Sequence, residues 1–339
     1  MSDAPGPAPR AESAPLVEVE HLVKHFPTRG GWGARKKPEV VRAVDDVSFT
    51  IRRGETLGLV GESGSGKTTV GRALLRLIEP TSGSVRFDGT ELGALSPEAL
   101  RRLRPRMQII FQDPYASLNP RLTIGEAIAE PIRVHGLAKG PEIESSVASL
   151  LDRVGLPASA RDRYPHEFSG GQRQRIRIAR ALSVKPSFIV CDEAVSALDL
   201  SIQAQVLNLL RELSDDLGLT YLFITHNLNV LRSIADRVLV MYLGQVVESA
   251  PVEQLLSAPG HPYTRALLSA NPLPDPLAPF DPVSLEGEIP SAVSPPSGCR
   301  FHTRCPEVFE PCPTLVPSDR LVNRQPPHRV LCHLAEDAA

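Results

Sequence analysis

The stretch Gly61-Glu62-Ser63-Gly64-Ser65-Gly66-Lys67-Thr68 constrains this chain more than any other. It follows an apolar run, Thr56-Leu57-Gly58-Leu59-Val60, and leads into Thr69-Val70-Gly71-Arg72-Ala73-Leu74-Leu75. The pattern predicts a strand, a glycine-rich turn and a helix. Glycines let the backbone curl so that successive N–H groups aim at one point. The helix behind them adds the positive end of its dipole, which completes a cradle for an anion. In that setting Lys67 reaches the β- and γ-phosphates of a nucleotide, and the Thr68 hydroxyl ligates Mg²⁺. A bland glycine-rich turn is the competing reading; the strand before it and the helix after it disfavour that.

A length of 339 residues allows one large domain with an appendage, or two domains. With 42% hydrophobic and 22% charged residues, the chain can build an ordinary core. A formal charge of −2 gives no reason to expect nucleic acid. No apolar run approaches a membrane-spanning length, and Met1-Ser2-Asp3-Ala4-Pro5-Gly6-Pro7 lacks an apolar signal core. The expected location is the cytoplasm, or the cytoplasmic face of the cell membrane where a partner holds the chain there.

Residues 1–15 are rich in Pro and Ala and read as disordered. Strand patterns follow at Leu16 to Glu20, Val47 to Ile51, Ser84 to Phe87, Gln108 to Phe111, Phe188 to Cys191 and Tyr221 to Ile224. The last two are continuous apolar runs, as expected of parallel strands buried on both faces. Helical patterns lie between strands, which predicts an α/β fold. Between Phe111 and Lys185 helical segments dominate, so residues 113–185 read as a helical insertion. Residues 16–268 form one unit on this reading, and 269–339 a Pro/Cys-rich extension.

Asp192 closes an apolar strand and Glu193 follows it. A carboxylate at the C-terminal end of a parallel strand stands where α/β sheets bind ligands. Asp192 suits the coordination sphere of Mg²⁺; Glu193 suits polarising a water that attacks the γ-phosphorus. His226 follows a second such strand, and Gln112 a third. Alone, the acidic pair reads equally well as an ordinary strand ending, His226 reads better as a structural histidine than as a catalytic one, and Gln112 says little. Phe168-Ser169-Gly170-Gly171-Gln172 precedes a helical run, Arg173 to Leu182, and makes a second anion-binding helix start. It has no lysine to complete a cradle, so a natural use is to bind the γ-phosphate of a nucleotide held by another subunit.

The order of phosphate loop, Gln112, Ser169 to Gln172, Asp192-Glu193, Ser196-Ala197-Leu198-Asp199 and His226 resembles the ATP-binding-cassette (ABC) ATPases, over about Leu16 to Pro262. Phe168 replaces a more usual leucine, and Ala194 a common proline. The resemblance implies a P-loop NTPase core with an N-terminal antiparallel β subdomain, a helical subdomain insertion and a small C-terminal extension. It implies ATP and Mg²⁺ as cofactors, with Gly61, Ser63, Gly64, Ser65, Gly66, Lys67, Thr68 and Thr69 around the phosphates. Phe26 resembles the aromatic that stacks on adenine. Thr68, Gln112 and Asp192 resemble the Mg²⁺ set. Lys67, Gln112, Glu193 and His226 resemble the catalytic set. Ser169, Gly170, Gly171 and Gln172 resemble donors that cross a dimer interface, and Asp199 the residue linking two active sites.

Three further stretches resemble the ATP-binding subunits of bacterial oligopeptide/dipeptide importers, closest to the F-type subunit: Phe111 to Pro120, Ser196 to Gln205 and His261-Pro262-Tyr263-Thr264. The implied partners are a second ATPase subunit, two permease subunits and an external binding protein. Residues Tyr115 to Pro120 would face the permease. Related importers of nickel, glutathione or sugars, exporters, and a soluble cassette ATPase acting on nucleic acid or ribosomes are the alternatives. Of five cysteines, four follow Gly298: Cys299, Cys305, Cys312 and Cys332. A reducing cytoplasm disfavours disulfides, and zinc usually takes close Cys pairs, which are missing here. All-thiolate ligation leans toward an iron–sulfur cluster, and the resemblance implies a [4Fe-4S] cluster; zinc and free thiols stay open. Cys191 reads as a core residue, and Arg101, Arg102, Arg104 and Arg106 as a solvated helix face.

Overall fold

The computed structural model describes residues 14–28, 39–111, 118–270 and 287–338. Of residues 1–15, expected to be disordered, 1–13 lie outside the described residues, whereas Pro15 departs from that expectation by pairing with Arg52 in a strand. Gln112, Tyr115 to Ser117 and residues 271–286 also lie outside the described residues. In chain order the elements are β1 (Pro15–Pro27), β2 (Val40–Arg52), β3 (Thr56–Val60), α1 (Lys67–Leu74), β4 (Ser82–Phe87), β5 (Thr90–Glu91), α2 (Pro97–Leu103), β6 (Met107–Ile110), α3 (Ile124–Val134), α4 (Pro141–Arg153) and α5 (Gly170–Leu182). Then come β7 (Phe188–Asp192), α6 (Leu200–Leu217), β8 (Thr220–Thr225), α7 (Leu228–Ile234), β9 (Arg237–Tyr242), β10 (Gln245–Pro251), α8 (Val252–Ser257), α9 (Pro262–Ser269), β11 (Asp319–Arg324) and β12 (Pro327–Leu331).

Every residue of β3, β7 and β8 is buried, which explains their unbroken apolar sequences. They lie in a sheet ordered β11-β12-β10-β9-β3-β8-β7-β6. Its five strands from β9 to β6 are parallel. A second sheet, β2-β1-β4-β5, is antiparallel. α1 packs between the two: Val70, Ala73 and Leu74 share a core with Leu16 and Ile51 on one side and Leu222 and Ile224 on the other. Full burial of each of these valine, leucine and isoleucine side chains contributes about 1.5–3 kcal/mol. A Cβ on Gly71 would stand 2.8 Å from Ile224 Cδ1 and 3.0 Å from Val190 Cγ1, so a larger residue would have to push these sheet side chains aside.

Helices α3, α4 and α5 follow β6 and share a core of Ile128, Leu151 and Ile176. α3 starts in a capping box in which the Thr123 hydroxyl accepts the Glu126 N–H and Glu126 accepts the Thr123 N–H. Of the four arginines expected on a solvated face, Arg102 pairs with Glu98 and Arg106 with Asp88. Arg104 departs from that expectation: it turns inward to the carbonyls of Leu75 and Arg76.

The C-terminal extension is joined to the main sheet. Strand β12 pairs antiparallel with β10, with Glu248 opposite Val330. Glu248 is buried, and its carboxylate meets His328 Nε2 at 2.7 Å and accepts the N–H groups of Gly260 and His261. These partners offset the cost of burying a charge. His261 is fully enclosed, and burial pushes its imidazole down to about 4, so it is neutral and its Nδ1 accepts the Tyr263 N–H at the start of α9.

Candidate functional site

Register brings the chemistry to one edge of the sheet. Val60 lies opposite Thr225, Ile224 opposite Asp192, and Cys191 opposite Ile110. The chain therefore leaves β3, β8, β7 and β6 side by side at their C-terminal ends, where parallel sheets place ligand sites. The loop after β3 curls through Gly64 (φ 80°) and Gly66 (φ 107°) into α1. At Gly66 a Cβ would fall 2.1 Å from the Ala43 carbonyl oxygen, so this position demands glycine on two counts. Strand β2 thus touches the loop, and Phe26 pairs with Val41 two residues before that contact. The Phe26 ring is partly exposed, with Lys24 Nζ 4.8 Å from its centroid.

Lys67 is buried and donates to the carbonyls of Gly61 (2.7 Å) and Glu62 (2.8 Å) and to Ser65 Oγ (3.3 Å). Burial lowers its ammonium pKa, against the pull of Glu193, Asp192 and Glu62. The Thr68 hydroxyl donates to Asp192 Oδ1 at 2.8 Å. Burial raises the Asp192 carboxyl, opposed by that hydrogen bond. Ser63 and Gly64 are exposed, Ser65 is buried, and Thr69 lies in the first turn of α1.

Glu193 sits in the left-handed region at φ 49°, where a non-glycine residue costs about 1–3 kcal/mol. Its backbone is pinned from both sides: its N–H donates to the Ile224 carbonyl, and its carbonyl accepts the Ser196 N–H and hydroxyl. The side chain lies beside His226, whose Nδ1 is 3.7 Å from Glu193 Oε1, beyond hydrogen-bonding distance.

A second group gathers elsewhere. Ser169 caps α5 in a reciprocal box with Gln172. Asp199 caps α6 by accepting the Ile202 N–H and the Ser201 hydroxyl, and the Ile202 bond chiefly lowers its carboxyl pKa. The two helix starts touch: Cβ positions on Gly170 and Gly171 fall 3.7 Å from Leu198 and 2.3 Å from Ile202. Among the described contacts, none links this group to Lys67 or Thr68. Gln112 lies outside the described residues, but its neighbour Phe111 accepts Arg177 Nη1 at 3.0 Å, which ties the end of β6 to α5. A cleft of about 340 Å³ opens beside that tie, lined by Phe111, Glu130, Pro131, Val134, Arg177 and Arg180.

In the extension, Cys299 is pushed up to about 11 by burial and by the neighbouring thiols of Cys332, Cys312 and Cys305. Burial also raises Cys305 and Cys332. Among the described residues no three His, Cys, Asp or Glu side chains are grouped so as to hold a metal ion. Cys191 is buried in β7, far up in pKa through burial. Two contacts went unpredicted from the sequence: Arg304 forms a forked ion pair with Glu62 of the loop, and the Tyr263 hydroxyl accepts the Glu62 N–H. Among the described residues no helix is long and apolar enough to cross a membrane.

The ABC transporter family model matches residues 44–196, and the model for the oligopeptide/dipeptide transporter C-terminal region matches 247–312. The oligopeptide transport ATP-binding protein AppF of Bacillus subtilis is 49% identical, over 96% of this chain and 98% of the relative. A Brucella ovis protein named as a putative peptide import ATP-binding protein is 54% identical, over 94% of this chain and 97% of the relative. The dimeric cassette MJ0796, in a post-hydrolysis state bound to ADP and Pi, superposes with a TM-score of 0.62 at 29% identity, covering 70% of this chain and 99% of that one. With a relative so similar over nearly its whole length, and with cassette and C-terminal region in their expected order, this chain belongs to the ATP-binding proteins of the ABC transporter family.

Proposed function

We propose that this chain is the ATP-hydrolysing subunit of a bacterial importer that takes up oligopeptides or dipeptides across the cytoplasmic membrane. The observation that carries this is the union, in one chain, of a nucleotide cassette with the oligopeptide/dipeptide transporter C-terminal region.

The loop from Gly61 to Thr69 wraps the triphosphate, and Phe26 stacks on the adenine. Lys67 stabilises charge on the β- and γ-phosphates. The hydroxyl and carboxylate oxygens of Thr68 and Asp192, already 2.8 Å apart, are hard donors that fit Mg²⁺, with Gln112 as the third member. Bound there, Mg²⁺ neutralises charge on the phosphate oxygens. Glu193 takes the attacking water by hydrogen bond and polarises it; His226 holds the γ-phosphate and keeps Glu193 oriented. Ser169, Gly170, Gly171 and Gln172 of one protomer close on the γ-phosphate bound by the other, and Asp199 couples the two sites. One ATP thus bridges two protomers, and cleaving it removes the bridge. The cleft between β6 and α5, with exposed Phe111 and Val134 at its wall, supports reading this face as the one offered to a permease segment at the cytoplasmic face of the membrane. The full complex on this reading holds two ATPase subunits, two permease subunits and an external binding protein.

Reconstituted in vesicles with its permease and binding protein, the chain is expected to hydrolyse ATP faster on addition of peptide and to accumulate labelled peptide. Stimulation by nickel, glutathione or a sugar and not by peptide would overturn the substrate assignment.

Cys299, Cys305, Cys312 and Cys332 hold a metal in this reading. The all-thiol donor set and the lack of a Cys-x-x-Cys pair favour a [4Fe-4S] cluster over zinc. A bound cation would favour the thiolate forms that burial now disfavours at Cys299, Cys305 and Cys332. Anaerobic purification is expected to give about four iron and four sulfide per chain, the cluster's own stoichiometry. Stoichiometric zinc without sulfide would replace the cluster by zinc, and neither metal would leave free thiols.

A further inference from the structure

The extension does more than follow the cassette in sequence; it reaches the phosphate loop. Glu62 is the second residue of that loop, and each of its polar groups is taken. Its carbonyl accepts Lys67 Nζ at 2.8 Å. Its N–H donates to the Tyr263 hydroxyl at 2.8 Å. Its two carboxylate oxygens accept Arg304 Nη1 at 2.7 Å and Nη2 at 3.1 Å, a fork that fixes both distance and plane. The Arg304 side chain is only 7% exposed, against 24% for Glu62, so solvent screens this pair little.

The platform behind Arg304 is rigid. A short turned segment carries it, with the Arg304 N–H on the Phe301 carbonyl and the His302 N–H on the Cys299 carbonyl. Phe301 is buried against Tyr242, Tyr263 and His261, with ring centroids 5.2, 5.4 and 5.6 Å away. Cys299 and Cys305 bracket this segment, so the thiol set and the guanidinium share one scaffold.

We propose that Arg304 is a positioning residue for ATP hydrolysis, fixing the phosphate loop through its fork with Glu62 and so placing the nucleotide site under the hold of the C-terminal extension. The proposal rests on the reading of Gly61 to Thr68 as the ATP site. Without the fork Glu62 keeps its main-chain bonds to Lys67 and Tyr263, but its side chain would swing free, the loop would flex about it, and the N–H groups would meet the phosphates less well. Those N–H groups act in the bound and transition states alike, so loosening them weakens binding more than turnover.

Steady-state hydrolysis by the assembled transporter tests this. Arg304→Met is expected to raise KM for ATP about tenfold while kcat stays within about twofold, the pattern of lost uniform binding. Arg304→Lys keeps the charge without the fork and should fall between the two. Combining Glu62→Gln with Arg304→Met should add no further loss, because the two act as one unit. Glu307→Gln breaks the extension's pair with Arg265 without touching the loop, and its KM should equal that of the parent. Lys67→Met reports on the underlying reading, since undiminished ATP binding there would overturn the site itself. If Lys67→Met abolishes binding but Arg304→Met and Arg304→Lys leave KM unchanged, the Arg304 assignment fails alone. It fails equally if Glu307→Gln reproduces the rise in KM, or if the Glu62 and Arg304 losses multiply.

Discussion

Glu193→Gln is expected to leave ATP bound and slow its hydrolysis by about 10²-fold or more, the scale of losing one general base. The substitution is close to isosteric, and glutamine meets the same left-handed backbone as glutamate at φ 49°. The hydrogen bonds to Ile224 and Ser196 use only the main chain, so they persist. What is lost is a negative charge and a proton acceptor. The charge faces Lys67, whose protonated form Glu193 now supports. A bound triphosphate replaces that support, and one fewer carboxylate beside it lowers repulsion. ATP affinity should therefore hold or improve while turnover collapses, and the variant should accumulate as an ATP-bridged dimer. Rapid-quench hydrolysis, nucleotide titration and light scattering measure the three quantities. Parent-like turnover would remove Glu193 from its role, and a matching loss of affinity would mean that the substitution had damaged the cradle instead.

The strands that carry this chemistry were legible because burial on both faces writes itself into sequence. Phe188 to Cys191 and Tyr221 to Ile224 admit no polar residue, and each ends in a functional side chain. Strands β9 and β10 were not read, although Val238 to Tyr242 is just as apolar. They are joined by two residues, Leu243 (φ 43°) and Gly244 (φ 84°), a turn that normally announces itself with Asn-Gly. The β11–β12 hairpin was hidden for the opposite reason. Its outer strand, Asp319–Arg324, is the sheet edge and has no buried residue, and in Pro327–Leu331 one of the two buried positions is a histidine, His328 beside Val330, so no apolar alternation marks them. Glu62 occupies a variable position of the phosphate-loop pattern, and its partner is 242 residues away. Only the folded topology, through α9 and the extension, brings that pair together. Lys67, Thr68 and Asp192 by contrast are tied to fixed spacings and strand ends; the structure sets Thr68 within hydrogen-bonding reach of Asp192 and Lys67 on the carbonyls of Gly61 and Glu62.

Gly171→Ala tests the other half of the site, the half with no lysine. In an exposed helix this change would stabilise by about 1 kcal/mol through helix propensity. Here the new methyl would stand 2.3 Å from Ile202 Cγ2. Ile202 lies in α6, and a β-branched side chain in a helix keeps essentially one χ1 rotamer, so it cannot swing aside. The strain must move a helix, at about 1–3 kcal/mol, so the net effect on stability is small. The effect on the site is not. Ile202 donates the N–H that Asp199 caps, and Ser169 caps the helix that carries Gly171. Pushing α5 from α6 therefore displaces Ser169 and Asp199 together, while Lys67, Thr68 and Asp192 keep their own contacts. A displacement of about 1 Å in a reacting geometry costs on the order of 10²-fold in rate. The isolated chain should bind ATP as the parent does, the assembled transporter should lose hydrolysis on that scale, and ATP should no longer hold two cassettes together. Adding Ile202→Ala removes the obstructing methyl and should restore much of the rate. Full hydrolysis in the single variant, or a loss confined to nucleotide binding by the isolated chain, would show that the Ser169–Gln172 helix start takes no part in gripping the γ-phosphate.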